Sequence, residues 1–393
     1  MKIAMLGVKA VPCPGGICTY TEQLGSRLVD RGHEVLVYCR RKYLNGDDAG
    51  AQPGPYKGIE RKLSAGIPGK YLDALTHILT SAIDALRQDY DVIHIHGSAP
   101  SVVAPLLRLR RGCPLVVTIH SLDWQGNKWG RLATAAMRLA ADVPVRFAHE
   151  LTVVSKQLQE FYRGTFKRET TYIPSGVELP NIQPAEEIRE RWELQPGGYI
   201  LFVGRLTPEK GLEYLLPAYK ALDTDKKLVI VGGTNFRDPY VENLMSQADE
   251  NVLFTGYLTG SVLAELFSNA YVYVQPSTLE GMSMAVLEAL SYGRCVLASN
   301  IPGNLEALGE CGYTFEVGNV DDLREKMTVL LNDPQSSAAQ LDLGRQHVTK
   351  EHNWDRTADQ FEQVYCRVTN RSVESAVGEN PQADAASQSL HRP

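Results

Sequence analysis

Residues 271–293 read YVYVQPSTLEGMSMAVLEALSYG, and the order of the whole chain follows from them. The alternation Tyr271-Val272-Tyr273-Val274 suits a strand, because aromatic and β-branched side chains fit a pleated surface. Pro276 and Ser277 end that strand, and a polar loop carries Glu280-Gly281. Ser283 stands at an N-cap position, a helix runs from Met284 to Tyr292, and Gly293 closes it. Strand, tight loop and helix N-terminus make an anion site, since unpaired N–H groups and the helix dipole point into the loop. Two carboxylates frame it, Glu280 in the loop and Glu288 within the helix. The helix neighbours of Glu288 are Met284, Ala285, Ser291 and Tyr292, none of them charged. Glu288 is therefore either an isolated surface glutamate on an unusually apolar face or a ligand-binding group.

A chain of 393 residues predicts two domains. A hydrophobic content of 44% and a charged content of 22% fit a soluble globular protein. No apolar run is long enough to span a membrane. The N-terminal MKIAMLGV reads as a first strand and not as a signal peptide. Seven cysteines without paired CxxC spacing exclude a zinc knuckle and predict a reducing, cytoplasmic setting. The net charge of −6 is uneven: residues 1–180 hold 23 Lys and Arg against 16 Asp and Glu, and the rest carries the acidic excess. A basic first half suits an anionic partner such as a lipid phosphate or a membrane surface, or is simply a solvated face.

Lys2 to Val8, a Gly15-Gly16 pair, a helix from Thr19 to Arg31 and a strand from Glu34 to Cys39 open a doubly wound parallel fold. The glycine pair is not GxGxxG, so a dinucleotide is not the natural ligand. Residues 41–70 read as an irregular excursion, followed by a helix from Tyr71 to Gln88 and a strand from Asp91 to His96. His94 and His96 share one face of that strand, with no third metal ligand nearby. Pro114 to Ile119 forms another strand, and His120 lies just past its end, where doubly wound folds keep ligands. Lys128 to Glu150 reads as a basic helix, either solvated or lying on a membrane. Strands at Leu151–Ser155 and Tyr172–Val177 complete the first domain. The second restarts at Tyr199–Val203, with Gly204-Arg205 and Glu209-Lys210-Gly211, and continues through Lys227–Val231, Val252–Gly256, Tyr257-Leu258 and Cys295–Ser299. Helices are expected around Asp321–Leu331 and Trp354–Thr369, and the polar tail beyond them reads as disordered.

Along most of residues 1–370 the chain resembles the family-4 retaining glycosyltransferases of the GT-B fold. The resemblance is carried by Gly15-Gly16, DVIHIHG, TIHSLDW, YIPSGV, FVGRLTPEKG and LEGMSMAVLEA, in that order. TIHSLDWQGNKWG also resembles a bacterial subgroup that builds surface or secreted polysaccharides. The resemblance implies an α/β architecture of two Rossmann-like domains facing a cleft. Residues 1–178 would form the acceptor side and 179–353 the nucleotide-sugar side. A helix at 354–370 would return to the first domain, with a disordered tail at 371–393. It implies that Arg205 and Lys210 clasp the donor diphosphate, where fixed cations stabilise the charge gained by the leaving group. Glu288 would accept bonds from the ribose hydroxyls, and Glu280 with the amides of Gly281, Met282, Ser283 and Met284 would meet the sugar and distal phosphate. Gly204 would lie at the phosphates and Leu258 beside the base. In the first domain, Gly15 and Gly16 would let the backbone approach phosphates or acceptor, and His120 would touch the transferred sugar.

Both glutamates are then committed to the donor, unlike the paired carboxylates of retaining glycosidases. The resemblance implies front-face displacement, and the lack of a DxD motif predicts no obligatory metal and no cofactor beyond the donor. One departure from the family pattern is Ser175, where many relatives carry Asn. The expected acceptor is a saccharide or lipid-linked saccharide, with peripheral contact at an anionic membrane and no nucleic acid. The alternatives are a catalytically silent nucleotide-sugar-binding protein on the same fold, and a Rossmann oxidoreductase or epimerase.

Overall fold

The computed structural model describes residues 1–13, 15–44, 54–67, 72–122, 138, 140–233 and 238–372. They separate into two compact units, one running to Pro174 and resuming at Trp354, the other covering Ser175–Asn353.

The first unit is built on β1 (Lys2–Leu6), β2 (Glu34–Arg40), β3 (Glu60–Ser64), β4 (Val92–His96), β5 (Leu115–Ile119), β6 (Glu150–Val153) and β7 (Thr171–Tyr172). All pair in parallel in the order β3-β2-β1-β4-β5-β6-β7. Every residue of β4 and β5 is buried, as expected of central parallel strands covered on both faces. The order reverses between β1 and β4, and at that seam Gly7 has φ +89 and a Cβ on it would lie 2.5 Å from the His96 carbonyl. Only glycine fits so close an approach.

Several expected boundaries move. The first helix is Gly16–Asp30, three residues earlier than read from the sequence. Its buried face already begins at Cys18, and that packing outweighs the poor helix propensity of Gly16. Within 41–70, Glu60–Ser64 is a strand paired to β2 at the sheet edge. ERKLS gives no apolar signal because none of its residues is fully buried. The basic helix expected over Lys128–Glu150 lies largely outside the described residues. Asp142–Phe147 is helical, and Glu150 already pairs with Val116 as the first residue of β6. Tyr172–Val177 yields only Thr171–Tyr172, since Pro174 has no N–H to continue a ladder.

The helix Trp354–Thr369 belongs to the first unit and packs on Gly16–Asp30. Trp354 lies edge-on to Tyr20 at 5.2 Å, Asp355 pairs with Arg27 at 3.0 Å and Glu362 meets His33 at 2.8 Å. Residues 373–393, including most of the expected tail, are outside the described residues.

The second unit holds β8 (Tyr199–Val203), β9 (Lys227–Val231), β10 (Val252–Gly256), β11 (Val272–Gln275), β12 (Cys295–Ser299) and β13 (Tyr313–Phe315), in the order β10-β9-β8-β11-β12-β13. One face carries Ile200, Phe202, Leu228, Ile230, Val272, Val274 and Leu297 into a core with Leu212, Leu216, Leu323 and Met327. The helix Met284–Ser291 packs against β11 and β12. Strand order reverses between β8 and β11, and in such sheets ligands bind outside the carboxyl ends of the strands at that point. Among the described residues no helix is long and apolar enough to cross a membrane. No disulfide joins the seven cysteines.

Candidate active site

In the second unit the loops after β8 and β11 meet at the reversal point. Lys210 closes a 3-10 turn, Pro208–Lys210, after β8, and its Nζ lies 2.5 Å from Glu280 Oε1 in the loop after β11. The same carboxylate oxygen accepts from Gln275 Nε2 at 2.9 Å and Ser277 Oγ at 2.7 Å. Tyr273 donates to Gln275 Oε1 and lies 3.2 Å from the Val203 carbonyl, so it ties β11 to β8. Residues 273, 275 and 277 fall on one face of the strand and its extension, as period two requires. Glu280 is thus held by three donors from two loops, with both charged partners largely withdrawn from water.

Glycines let these loops approach. Gly211 has φ +70, and a Cβ there would lie 2.0 Å from the Pro276 carbonyl. A Cβ on Gly303 would meet the Glu280 carbonyl at 2.5 Å.

The backbone N–H groups from Gly281 to Val286 find no acceptor among the described residues; the first helix bond there is Leu287 N–H to Ser283 O at 3.2 Å. Ser283 occupies the N-cap position but makes no cap bond, and its hydroxyl is buried without a partner among the described residues. The capping expected from sequence therefore fails in its bond and holds in its position. A row of unpaired amides at a helix N-terminus is a seat for an anion. Arg205 is exposed just past β8; its carbonyl accepts from Thr207 N–H at 3.0 Å, and its side chain makes no ion pair or hydrogen bond to any described residue. Gly204 donates to Val231 at 2.9 Å, and a Cβ on it would touch the Lys210 stem at 3.7 Å.

Glu288 lies one turn inside the helix, half-buried, without a side-chain hydrogen bond or ion pair among the described residues. Burial among uncharged neighbours pushes its carboxyl up to about 7. Leu258 is half-buried after β10, beside Tyr257, whose hydroxyl bonds the Gly233 carbonyl at 2.7 Å.

In the first unit, Gly15 and Gly16 are exposed where the chain enters the first helix. Gly15 has φ +128, and a Cβ on it would meet no described atom within 4 Å. His120 lies past β5. One hydrogen bond of 3.2 Å joins its Nε2 to His96 Nδ1, and the Tyr20 ring stands edge-on at 4.7 Å. Burial pushes His120 down to about 3 and His96 well below its usual value. Both are neutral near pH 7, so His120 offers a hydrogen bond and not a charge. His94 bonds Tyr365 at 2.8 Å and Thr118 at 2.6 Å, which makes it a satisfied core histidine. No group of three metal-ligating side chains forms among the described residues.

Two family models match: "Glycosyl transferases group 1" over residues 184–347 and "Glycosyltransferase Family 4" over residues 14–180. The chain belongs to the family-4 glycosyltransferases of the GT-B fold.

Relatives of this glycosyltransferase include a D-inositol 3-phosphate glycosyltransferase of Pseudarthrobacter chlorophenolicus, 26% identical over 95% of this chain and 96% of that protein. A GDP-mannose-dependent alpha-(1-6)-phosphatidylinositol monomannoside mannosyltransferase of Mycobacterium tuberculosis is 26% identical over 88% of this chain and 93% of its own length. Among solved structures, the sucrose-phosphate synthase of Thermosynechococcus elongatus has a TM-score of 0.78 at 24% identity, covering 94% of this chain and all of that one. Anabaena HepE in complex with UDP-glucose has a TM-score of 0.78 at 20% identity, covering 93% of this chain and all of that one. These structural likenesses support the fold.

Sequence reasoning singled out Lys210 and Glu280 and missed Gln275 and Ser277. A polar Gln ending an otherwise apolar strand, two residues from Tyr273 and from Ser277, was the available signal. His96 was noticed on its strand, but its bond to His120 joins separate strands and has no local mark.

Proposed function

We propose that this glycosyltransferase is a retaining enzyme that takes a nucleotide-diphosphate sugar in its second unit and passes the sugar to a saccharide or lipid-linked saccharide. The observation that carries the reading is the Lys210–Glu280 pair at the strand-order reversal, contiguous in sequence with unpaired amides from Gly281 to Val286. Lys210, Arg205 and those amides would hold the diphosphate and stabilise the charge that it gains as the bond to the anomeric carbon breaks. The electron pair goes to the phosphate oxygen, which takes the acceptor's proton as the new glycosidic bond forms on the same face. Glu280, already engaged by Lys210, Gln275 and Ser277, orients Lys210 and meets the sugar. Glu288 accepts from the ribose hydroxyls, Leu258 flanks the base, and neutral His120 bonds a sugar hydroxyl beside Gly15 and Gly16. No metal is required for this chemistry, since fixed cations and amides supply the compensating charge. The product would serve bacterial surface or exopolysaccharide synthesis at the inner face of an anionic membrane.

The test is a thermal-shift and hydrolysis screen with UDP-, GDP- and dTDP-sugars, with and without a chelator, followed by assignment of the product anomer by NMR. One donor should raise the midpoint and slowly release its nucleotide in chelator, and the product should keep the donor's anomeric configuration. An inverted anomer would refute retention. Donor binding without turnover on any saccharide or lipid-linked acceptor would favour the silent binder.

A further inference from the structure

The helix Leu72–Ala85 buries Ile78, Ala82 and Ala85 against the first unit and yet keeps a second aliphatic stripe on its outer face. Its exposed positions include Leu72 (55%), Leu75 (48%), Leu79 (39%) and Ile83 (44%), while Asp73, His77 and Ser81 are buried. At 100° per residue the four aliphatic side chains fall within about 80° of arc and run for about 16 Å. A helix on a soluble protein normally turns such a stripe inward. The stripe is broadened by Ile67 (58% exposed), whose N–H bonds Thr76 Oγ1 on the same helix at 2.9 Å. The 3-10 turn Pro100–Val103 packs against the helix and exposes Val102. A contiguous aliphatic patch of this kind marks an interaction site.

Cations surround it. At the helix start, Asp73 is held by Lys42 at 2.8 Å and Arg40 at 3.4 Å. Near its end, Lys62 pairs with Asp84 at 2.7 Å. Arg110 bonds the Ala85 carbonyl at 3.2 Å and Asp89 at 3.0 Å, which brings Arg108-Leu109-Arg110-Arg111 to the helix C-terminus. There Leu109 is 74% exposed, and Arg87 and Arg111 are exposed without an ion pair to any described residue. The acidic groups named here are already paired, so positive charge remains on the rim.

We infer that this face docks the first unit onto an anionic lipid surface, with Leu72, Leu75, Leu79, Ile83 and Ile67 entering the acyl boundary and Arg87 and Arg111 meeting headgroup phosphates. Aliphatic side chains in one stripe with unpaired cations beside it are the chemistry of an interfacial helix. A second protein surface would have to supply carboxylates to those arginines. The inference deepens the membrane contact proposed above and rests on that reading for its purpose.

The experiment is co-sedimentation of the full chain with phosphatidylcholine vesicles, with and without phosphatidylglycerol, at low and high salt. Donor-induced thermal shift and sedimentation velocity are read on the same samples. Wild type should bind only the mixed vesicles, and salt should release it. Leu75→Gln/Leu79→Gln should lower partitioning at least about tenfold, and Arg87→Gln or Arg111→Gln about fivefold each. Thermal midpoint and donor shift should stay unchanged, which separates loss of docking from loss of fold. Unimpaired vesicle binding by the double variant overturns the inference. So does a wild-type dimer that the double variant dissociates, because a second copy would then cover the stripe. A protein that binds vesicles but no donor leaves the docking face standing and sinks the donor reading.

Discussion

Glu288 and Glu280 are both carboxylates in one short segment, yet their surroundings differ. Glu280 faces Lys210, Gln275 and Ser277, whereas Glu288 has no partner among the described residues and is raised to about 7 by burial. The folded value lies above the unfolded one, so the ionised form is the one disfavoured by the fold. Its contribution to stability is therefore greatest below the ordinary glutamate range and is lost as pH rises toward 7. Ribose hydroxyls are bound best by the carboxylate, so donor affinity should rise through pH 7. Isothermal titrations from pH 6 to about 8 should show this slope in wild type and a flat profile in Glu288→Gln. Glu280→Ala leaves the buried donors of Lys210, Gln275 and Ser277 without their acceptor, while Lys210→Met leaves Glu280 with two donors. The first should lower the melting point more, because orphaned buried donors each cost about 1–3 kcal/mol. The second should lower turnover more, by about 10²–10³-fold if Lys210 stabilises the leaving diphosphate. Melting curves and kcat on the same pair of variants check both halves.

The elements carrying these residues are placed by glycines and by an uncapped helix. Gly211→Ala would drive a Cβ into the Pro276 carbonyl from a left-handed backbone, so the turn bearing Lys210 must shift. A loss of about 2 kcal/mol or more and weaker donor binding should appear together in denaturation and titration. Ser283→Ala should behave differently. An N-cap serine normally contributes about 1 kcal/mol through its bond, but Ser283 makes none. Its removal should change the unfolding free energy by no more than about 0.5 kcal/mol and lower donor affinity if the hydroxyl meets phosphate. The strand at 271–275 and the helix after it were legible because alternation, Pro276 and Gly293 act locally. Lys227–Val231 and Cys295–Ser299 were legible because buried parallel strands are short apolar runs. Glu60–Ser64 was not, since an edge strand half in solvent keeps polar residues. The helix at 72–85 was legible as a helix, but which of its apolar residues stay exposed depends on what packs behind it.

Over the whole molecule, the last described helix is remote in sequence from the sheet that it completes. Trp354 packs on Tyr20, Tyr365 bonds His94 in the centre of the first sheet, and Asp355, Asp359 and Glu362 meet Arg27, Arg31 and His33. The sequence showed a helix at this position, and the family resemblance suggested where it goes; partners more than 270 residues away leave no local trace. The first unit therefore cannot finish its core until the chain has completed the second. A chain ending at Asn353 would expose Tyr20 and leave His94 Nδ1 without its hydroxyl partner. Losing Trp354 and Phe361 alone removes burial on the scale of about 3–5 kcal/mol each, comparable with the whole stability of a typical domain. The second unit keeps its sheet and core, because Ser175–Asn353 is intact. Limited proteolysis of the truncated chain should digest residues before 175 and leave a resistant fragment that begins near there. Tyr365→Phe in the full chain is the milder probe. It keeps the ring packing and removes one buried bond, so it should cost about 1–3 kcal/mol and shift the His94 imidazole resonances without unfolding the unit. A truncated chain whose first unit resists protease as well as its second would mean that the returning helix is dispensable to the first core.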